Sequence, residues 1–262
     1  MLTVASLLTQ FFLRHSPQNP SFGFSKTLSS LVLEMSEEYN KDGMLRLVWS
    51  KDAAVETDVI AVHGLRGTYA NTWCKARKSE FAAPLEQFTY QARIFAFHNE
   101  ITEDILFDKV NLEKVATALL QEVSEKVDKK RSLVFICHNL GGILVKELLW
   151  IANHDKNYLD IALATKGIVC FGTPVYSCDW NAVLSKLVLA TAGPRVDGHS
   201  MVERLELSGL LKRGASTLKA ACGRYEMIEN QYKTVSLFEK AHPWHWYCGK
   251  TSRFPGGSNP ID

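Results

Sequence analysis

One stretch constrains this chain more than any other: Leu133-Val134-Phe135-Ile136-Cys137-His138-Asn139-Leu140-Gly141-Gly142. An apolar run of strand length meets a His-Asn-Leu-Gly-Gly knot and passes at once into the helical pattern Ile143 to Ile151. A buried strand, a sharp turn and a closely packed helix fit that description, because the glycines remove side chains that would hold the helix away. The turn should lift the residue at its apex, Asn139, above the edge of a sheet.

The remaining chain supplies strands for that sheet. Met44-Leu45-Arg46-Leu47-Val48-Trp49 follows the turn signal Asn40-Lys41-Asp42-Gly43 and predicts an edge strand. Val59 to Val62 is apolar on both faces, as in a strand buried within a mostly parallel sheet, and His63-Gly64-Leu65-Arg66-Gly67 ends it. Phe81 to Phe88 is compatible with a helix, and Ala92 to Phe97 reads as a second core strand. Leu112, Val115, Leu119, Val123 and Val127 recur at helical spacing between Asp108 and Val127. After Leu133 to Cys137 come a helix from Gly141 to Asn153 and a strand from Gly167 to Phe171. The alternation predicts an α/β fold with a mostly parallel central sheet flanked by helices.

Beyond Phe171 the pattern loosens. Trp180 to Thr191 and Met201 to Leu211 look helical and would form a small helical cap, and Ala220 to Tyr225 is a weak strand candidate. Pro17, Pro20, Gly23 and their serines mark a loop. The expected division is an extension or linker over 1–40, one domain over 41–250 and an irregular tail over 251–262.

Composition limits function. The chain is 46% hydrophobic and 22% charged, close to globular averages. Its net charge of +2 gives no footprint for nucleic acid, and Lys129-Lys130-Arg131 reads as a solvated helix end. The cysteines show neither CxxC pairing nor zinc-type spacing, so no metal and no other cofactor is expected. Cys137 and Cys170 lie in apolar strands, which suits a reducing, intracellular setting, cytoplasmic in the simplest case. No apolar stretch is long enough for a membrane span. Met1 to Ser16 reads either as a targeting segment or as an amphipathic terminus.

The apex at Asn139 has the shape of a nucleophile elbow, where a strained strand-to-helix turn presents a side chain for attack. His63-Gly64-Leu65 should stand at the carboxyl end of the neighbouring strand, where ligand sites of open α/β sheets gather. Backbone N–H groups at Leu65 and Leu140 are then the expected oxyanion donors, and Gly64 allows close approach. His63 lines the pocket in this reading; in the plainer one, His63-Gly64 only ends a strand. His138 precedes the apex and is expected to be structural or pocket-lining.

Three segments in order resemble the α/β-hydrolase lipase/esterase group that includes serine active site-containing proteins, GPI inositol deacylases and the serine-esterase domains of fungal NLR-like proteins. They are Asp58 to Gly67 with Thr72-Trp73, Phe135 to Lys146, and Gly167 to Pro174. The resemblance implies an α/β-hydrolase fold, with a triad in the order nucleophile, acid, histidine. Two departures stand out. Cys137 and Asn139 replace glycine and serine of the pattern Gly-His-Ser-Leu-Gly-Gly, and Val175-Tyr176-Ser177 replaces His-Arg-Gly after Gly-Thr-Pro.

For the acid the resemblance points first to Glu226, with Asp179, Asp197 and Glu229 as alternatives. For the base it points to His242, then His245. A carboxamide cannot be activated as an ester-cleaving nucleophile. The expected function is therefore a pseudohydrolase that binds an acyl-ester or lipid-like ligand, or a protein partner. An active ester or lipid hydrolase whose serine has been substituted is the alternative reading. A signalling head domain like those of the fungal proteins is the third.

Overall fold

The computed structural model describes residues 43–49, 55–69, 72–73, 92–185 and 201–237. A six-stranded sheet organises them. Its strands are β1 (Leu45–Trp49), β2 (Thr57–Val62), β3 (Ala92–Phe97), β4 (Ser132–His138), β5 (Thr165–Phe171) and β6 (Lys233–Leu237), in the spatial order β1-β3-β2-β4-β5-β6. β1 is an antiparallel edge on β3, and the other neighbours are parallel. Consequently all the inner strands end at one edge. This is the α/β-hydrolase architecture expected from the sequence.

Strand burial follows from the layers. β2 and β4 are buried on both faces because helices cover one and a second apolar cluster the other. The larger cluster joins Ile60, Val62, Phe135 and Cys137 to α2 (Lys109–Lys126) and α3 (Gly141–His154). A short α1 (Glu103–Leu106) precedes α2, and Asp108 caps α2 by accepting the Asn111 N–H at 3.0 Å. In α2 the buried face is Leu112, Ala116, Leu119, Leu120 and Val123, so Val115 of the expected stripe is only partly buried.

α3 is apolar nearly all round, since it lies between the sheet and α5 (Met201–Glu226). A short α4 (Leu159–Ala164) leads into β5. No helix among the described residues is long and apolar enough to cross a membrane.

The C-terminal part corrects one expectation. Ala220 to Tyr225 is not a strand; it completes α5, a helix of 26 residues. Ala215, Leu218, Ala221, Cys222 and Tyr225 recur at spacings of three and four and fill the core beside α3, and that period overrides local β preference. The last strand among the described residues is Lys233–Leu237, reached through a 3-10 turn at Glu229–Gln231. Residues 180–185 are helical, as expected for the start of a cap. The expectations for 1–40, Phe81 to Phe88, the rest of the cap to Thr191 and the 251–262 tail lie outside the described residues.

Candidate functional site

β2 and β4 are neighbours in register, with Val62 beside Cys137, so the chain leaves both strands at the same point. Two connections therefore meet: His63 to Gly67 after β2, and Asn139-Leu140 between β4 and α3. Glycines set their separation. A Cβ on Gly64 would lie 2.8 Å from Asn139 Cβ and 3.0 Å from the His138 carbonyl. A Cβ on Gly141 would overlap the His63 carbonyl, and one on Gly142 would overlap the Thr173 hydroxyl. The three segments that carry the resemblance meet at this edge.

Asn139 holds a left-handed backbone conformation, φ +51°, which is uncommon outside glycine and best tolerated by Asn and Asp. The surroundings fix it there. Its N–H donates to the Phe171 carbonyl at 2.8 Å, and its own carbonyl accepts the Thr173 hydroxyl at 2.8 Å. The side chain turns back on the helix entrance: Asn139 Oδ1 accepts the Leu140 N–H at 2.6 Å. The backbone donor expected to face a ligand is thus held by the apex residue itself.

The opposing loop keeps its donor open. Arg66 N–H bonds the Ile101 carbonyl and Gly67 N–H the Gly64 carbonyl, whereas Leu65 N–H makes no hydrogen bond among the described residues. Arg66 also has positive φ, and its guanidinium pairs with Glu103 at 3.0 Å.

His63 is fully buried, its ring 5.5 Å from that of Phe97 and its Nδ1 3.0 Å from the Gly64 carbonyl. Burial holds its pKa below the usual histidine value, so the ring is neutral at pH 7. His138 is exposed at the end of β4, near the edge of the Trp73 ring. Trp73 itself is only 4% exposed, also meets Phe171 edge-on, and has an indole N–H without a partner.

The structure does not bring Glu226 to this edge. Glu226 ends α5, exposed, and the chain runs from it into the amino end of β6, whereas Asn139 stands at the carboxyl edge. Burial and the neighbouring Glu229 raise its pKa. Glu229 opens the 3-10 turn on that same approach to β6. Asp179 serves a local role, accepting the N–H groups of Asn181 and Ala182 at 3.1 Å. Asp197, His242 and His245 lie outside the described residues.

Sequence reasoning missed the significance of β6. The Gly172 N–H donates to the Leu237 carbonyl at 2.8 Å, so β6 ends beside β5 at the site edge. Glu239 follows two residues later in the sequence. The alternation Lys233-Thr234-Val235-Ser236-Leu237 was the available signal. The Val175-Tyr176-Ser177 departure has a structural partner in α5, where the Lys219 ammonium lies 5.3 Å from the Tyr176 ring centre.

Two open hollows lie elsewhere. One of about 530 Å³ runs between residues 178–181 and α5, and one of about 310 Å³ is lined by Lys129, Arg131, Leu163 and Lys166.

No family model matches the chain. No curated protein matches it either. Solved structures similar to it include an esterase of Pyrococcus furiosus, 11% identical, with 88% of this chain and 93% of that chain covered and a TM-score of 0.43. A type II thioesterase of the yersiniabactin NRPS/PKS biosynthetic pathway is 13% identical, with 70% of each chain covered and a TM-score of 0.35. A hormone-sensitive lipase from a metagenome library is 12% identical, with 89% and 86% covered and a TM-score of 0.37.

Proposed function

We propose that this protein is a pseudohydrolase of the lipase/serine-esterase type, which binds a ligand at a nucleophile elbow without cleaving it. The observation that carries the reading is the hydrogen bond from Leu140 N–H to Asn139 Oδ1 at 2.6 Å. In a working elbow the apex offers an oxygen that a histidine can deprotonate, and the next N–H receives the developing oxyanion. Here the apex offers a carboxamide, too weak a nucleophile for attack. Its oxygen also fills the donor that would stabilise the intermediate. Both requirements fail in one side chain.

Around it part of an oxyanion frame remains, with Leu65 N–H as its open donor, the Leu140 N–H filled by Asn139, and His63, Gly64 and His138 as its neighbours. For the acid position Glu239 is a better choice than Glu226, because it follows the carboxyl end of β6. His242 keeps the base position. An acyl-ester or lipid-like compound is the class of ligand that such a frame accommodates.

Restoring the nucleophile tests the proposal. The parent protein should neither hydrolyse short and medium acyl esters nor label with a serine-directed fluorophosphonate. Asn139→Ser should label if the acid and base are competent, and should stay silent if they have been lost as well. Ester turnover by the parent equal to that of Asn139→Ser would overturn the reading.

A further inference from the structure

The hydrogen-bonding inventory at Asn139 specifies what chemistry the elbow can hold. Asn139 Oδ1 is committed to Leu140 N–H, and the backbone carbonyl of Asn139 accepts from the Thr173 hydroxyl and from Gly142 N–H. That leaves Asn139 Nδ2, which has no partner among the described residues. Leu65 N–H is open in the same way. Gly64 brings the two together, since its missing Cβ would lie 2.8 Å from Asn139 Cβ and Leu65 is the next residue.

The two groups left open at the apex, Asn139 Nδ2 and Leu65 N–H, are both donors. A serine hydroxyl would both donate and accept, but an asparagine fixed by its oxygen can only donate. The helix dipole has the same sign. α3 begins at Gly141, so the positive end of a 14-residue helix faces the turn. Glu103 is neutralised by Arg66 at 3.0 Å. His63 is fully buried with its Nδ1 against the Gly64 carbonyl, which leaves Nε2 as an unpartnered acceptor sealed from solvent. Trp73 contributes one more unpaired donor, its indole N–H, in a ring packed against His138 and Phe171 at the ends of β4 and β5.

We infer that the elbow holds the carboxylate of a free acid in preference to the corresponding ester. This rests on the reading that Asn139 occupies the nucleophile position of a site without turnover. A carboxylate brings two acceptor oxygens and a full charge, one oxygen for each of Asn139 Nδ2 and Leu65 N–H. An ester carbonyl brings one neutral acceptor, and hydrogen bonds to an ionised acceptor are the stronger kind. The asparagine has thus converted a site for an acyl ester into one for its hydrolysis product.

Calorimetric titration of the full chain at pH 8 with straight-chain fatty-acid anions from butyrate to palmitate, and with their methyl esters, tests this. At least one anion should bind about tenfold or more tightly than its own ester, the factor expected for exchanging neutral for charge-assisted hydrogen bonds. Asn139→Asp keeps an oxygen for Leu140 N–H and replaces the open amide with a like charge, so the preference for the anion should collapse to about onefold or reverse.

Equal affinity for anion and ester, an unchanged preference in Asn139→Asp, or no binding by any member of the series would overturn the inference. The comparison of anion with ester in the parent protein holds even if the variant fails to fold. Release of acid from the ester during the parent titration would instead overturn the pseudohydrolase reading, so the two failures are distinct.

Discussion

A methyl group on Gly141 would overlap the His63 carbonyl, a fixed backbone atom. Gly141→Ala must therefore separate α3 from β2, and should lower the unfolding free energy by about 2 kcal/mol in urea titration, as overpacking does elsewhere. Gly209, inside α5, is the contrast: its Cβ would meet nothing closer than Arg213 Nη1 at 3.5 Å. Gly209→Ala should stabilise by about 0.5–1 kcal/mol, through helix propensity alone. A loss at Gly209, or no loss at Gly141, would contradict the packing described. His63 adds a pH dependence. Burial lowers its folded pKa below 6.5, so its contribution is present above 6.5 and is lost as pH falls through the folded value. Thermal unfolding of His63→Phe should show a shallower decline below pH 6.5 than the parent.

At the scale of elements, two charge contacts tie layers that the sequence pattern left separate. Glu147 of α3 is 1% exposed and accepts from Arg224 of α5 at 2.6 Å. Burial raises the Glu147 pKa more than Arg224 lowers it, so the pair is costly to break from one side. Arg224→Ala should destabilise by about 3 kcal/mol at pH 7, and Glu147→Gln in the same chain should recover much of that loss.

The second contact is Glu122 of α2, which accepts the N–H groups of Met44 and Leu45 and the Lys126 ammonium and so docks the edge strand β1. Burial alone would raise its pKa; those three donors outweigh it and hold the carboxyl below its ordinary range. The stability it gives is present above pH 4.5 and lost as pH falls through the lowered value. Glu122→Gln should remove that acid-side loss from amide exchange in β1. Neither pair was visible in the sequence, because Glu147–Arg224 and Glu122–Met44 join residues far apart in the chain.

Across the whole molecule, what the sequence disclosed follows the strength of its periodic signals. β3 was readable to the residue as Ala92–Phe97, and α2 and α3 nearly so, because buried apolar periods set them. β6 and the C-terminal half of α5 were not. Ala220 to Tyr225 is short and mixed, and its true period emerges only when Ala215 and Leu218 are read with it against α3. β6 packs one partly buried face, so its alternation is weak.

The site was legible in the same uneven way. Gly141 and Gly142 signalled a closely packed helix, whereas Gly64, read as room for a ligand, instead lies against Asn139 and His138. Glu226 ends a helix where the sequence suggests a strand over Ala220 to Tyr225, so it stands at the amino end of β6 and away from Asn139. What no pattern could foretell is the direction of the Asn139 side chain, on which the account of function turns.

That direction makes one comparison decisive: purified parent and Asn139→Ser, exposed side by side to a serine-directed fluorophosphonate and to medium-chain acyl esters. The account predicts a silent parent, with any labelling or turnover confined to Asn139→Ser. A parent that turns over ester as fast as Asn139→Ser would contradict it, since catalysis would then not depend on the residue at the apex.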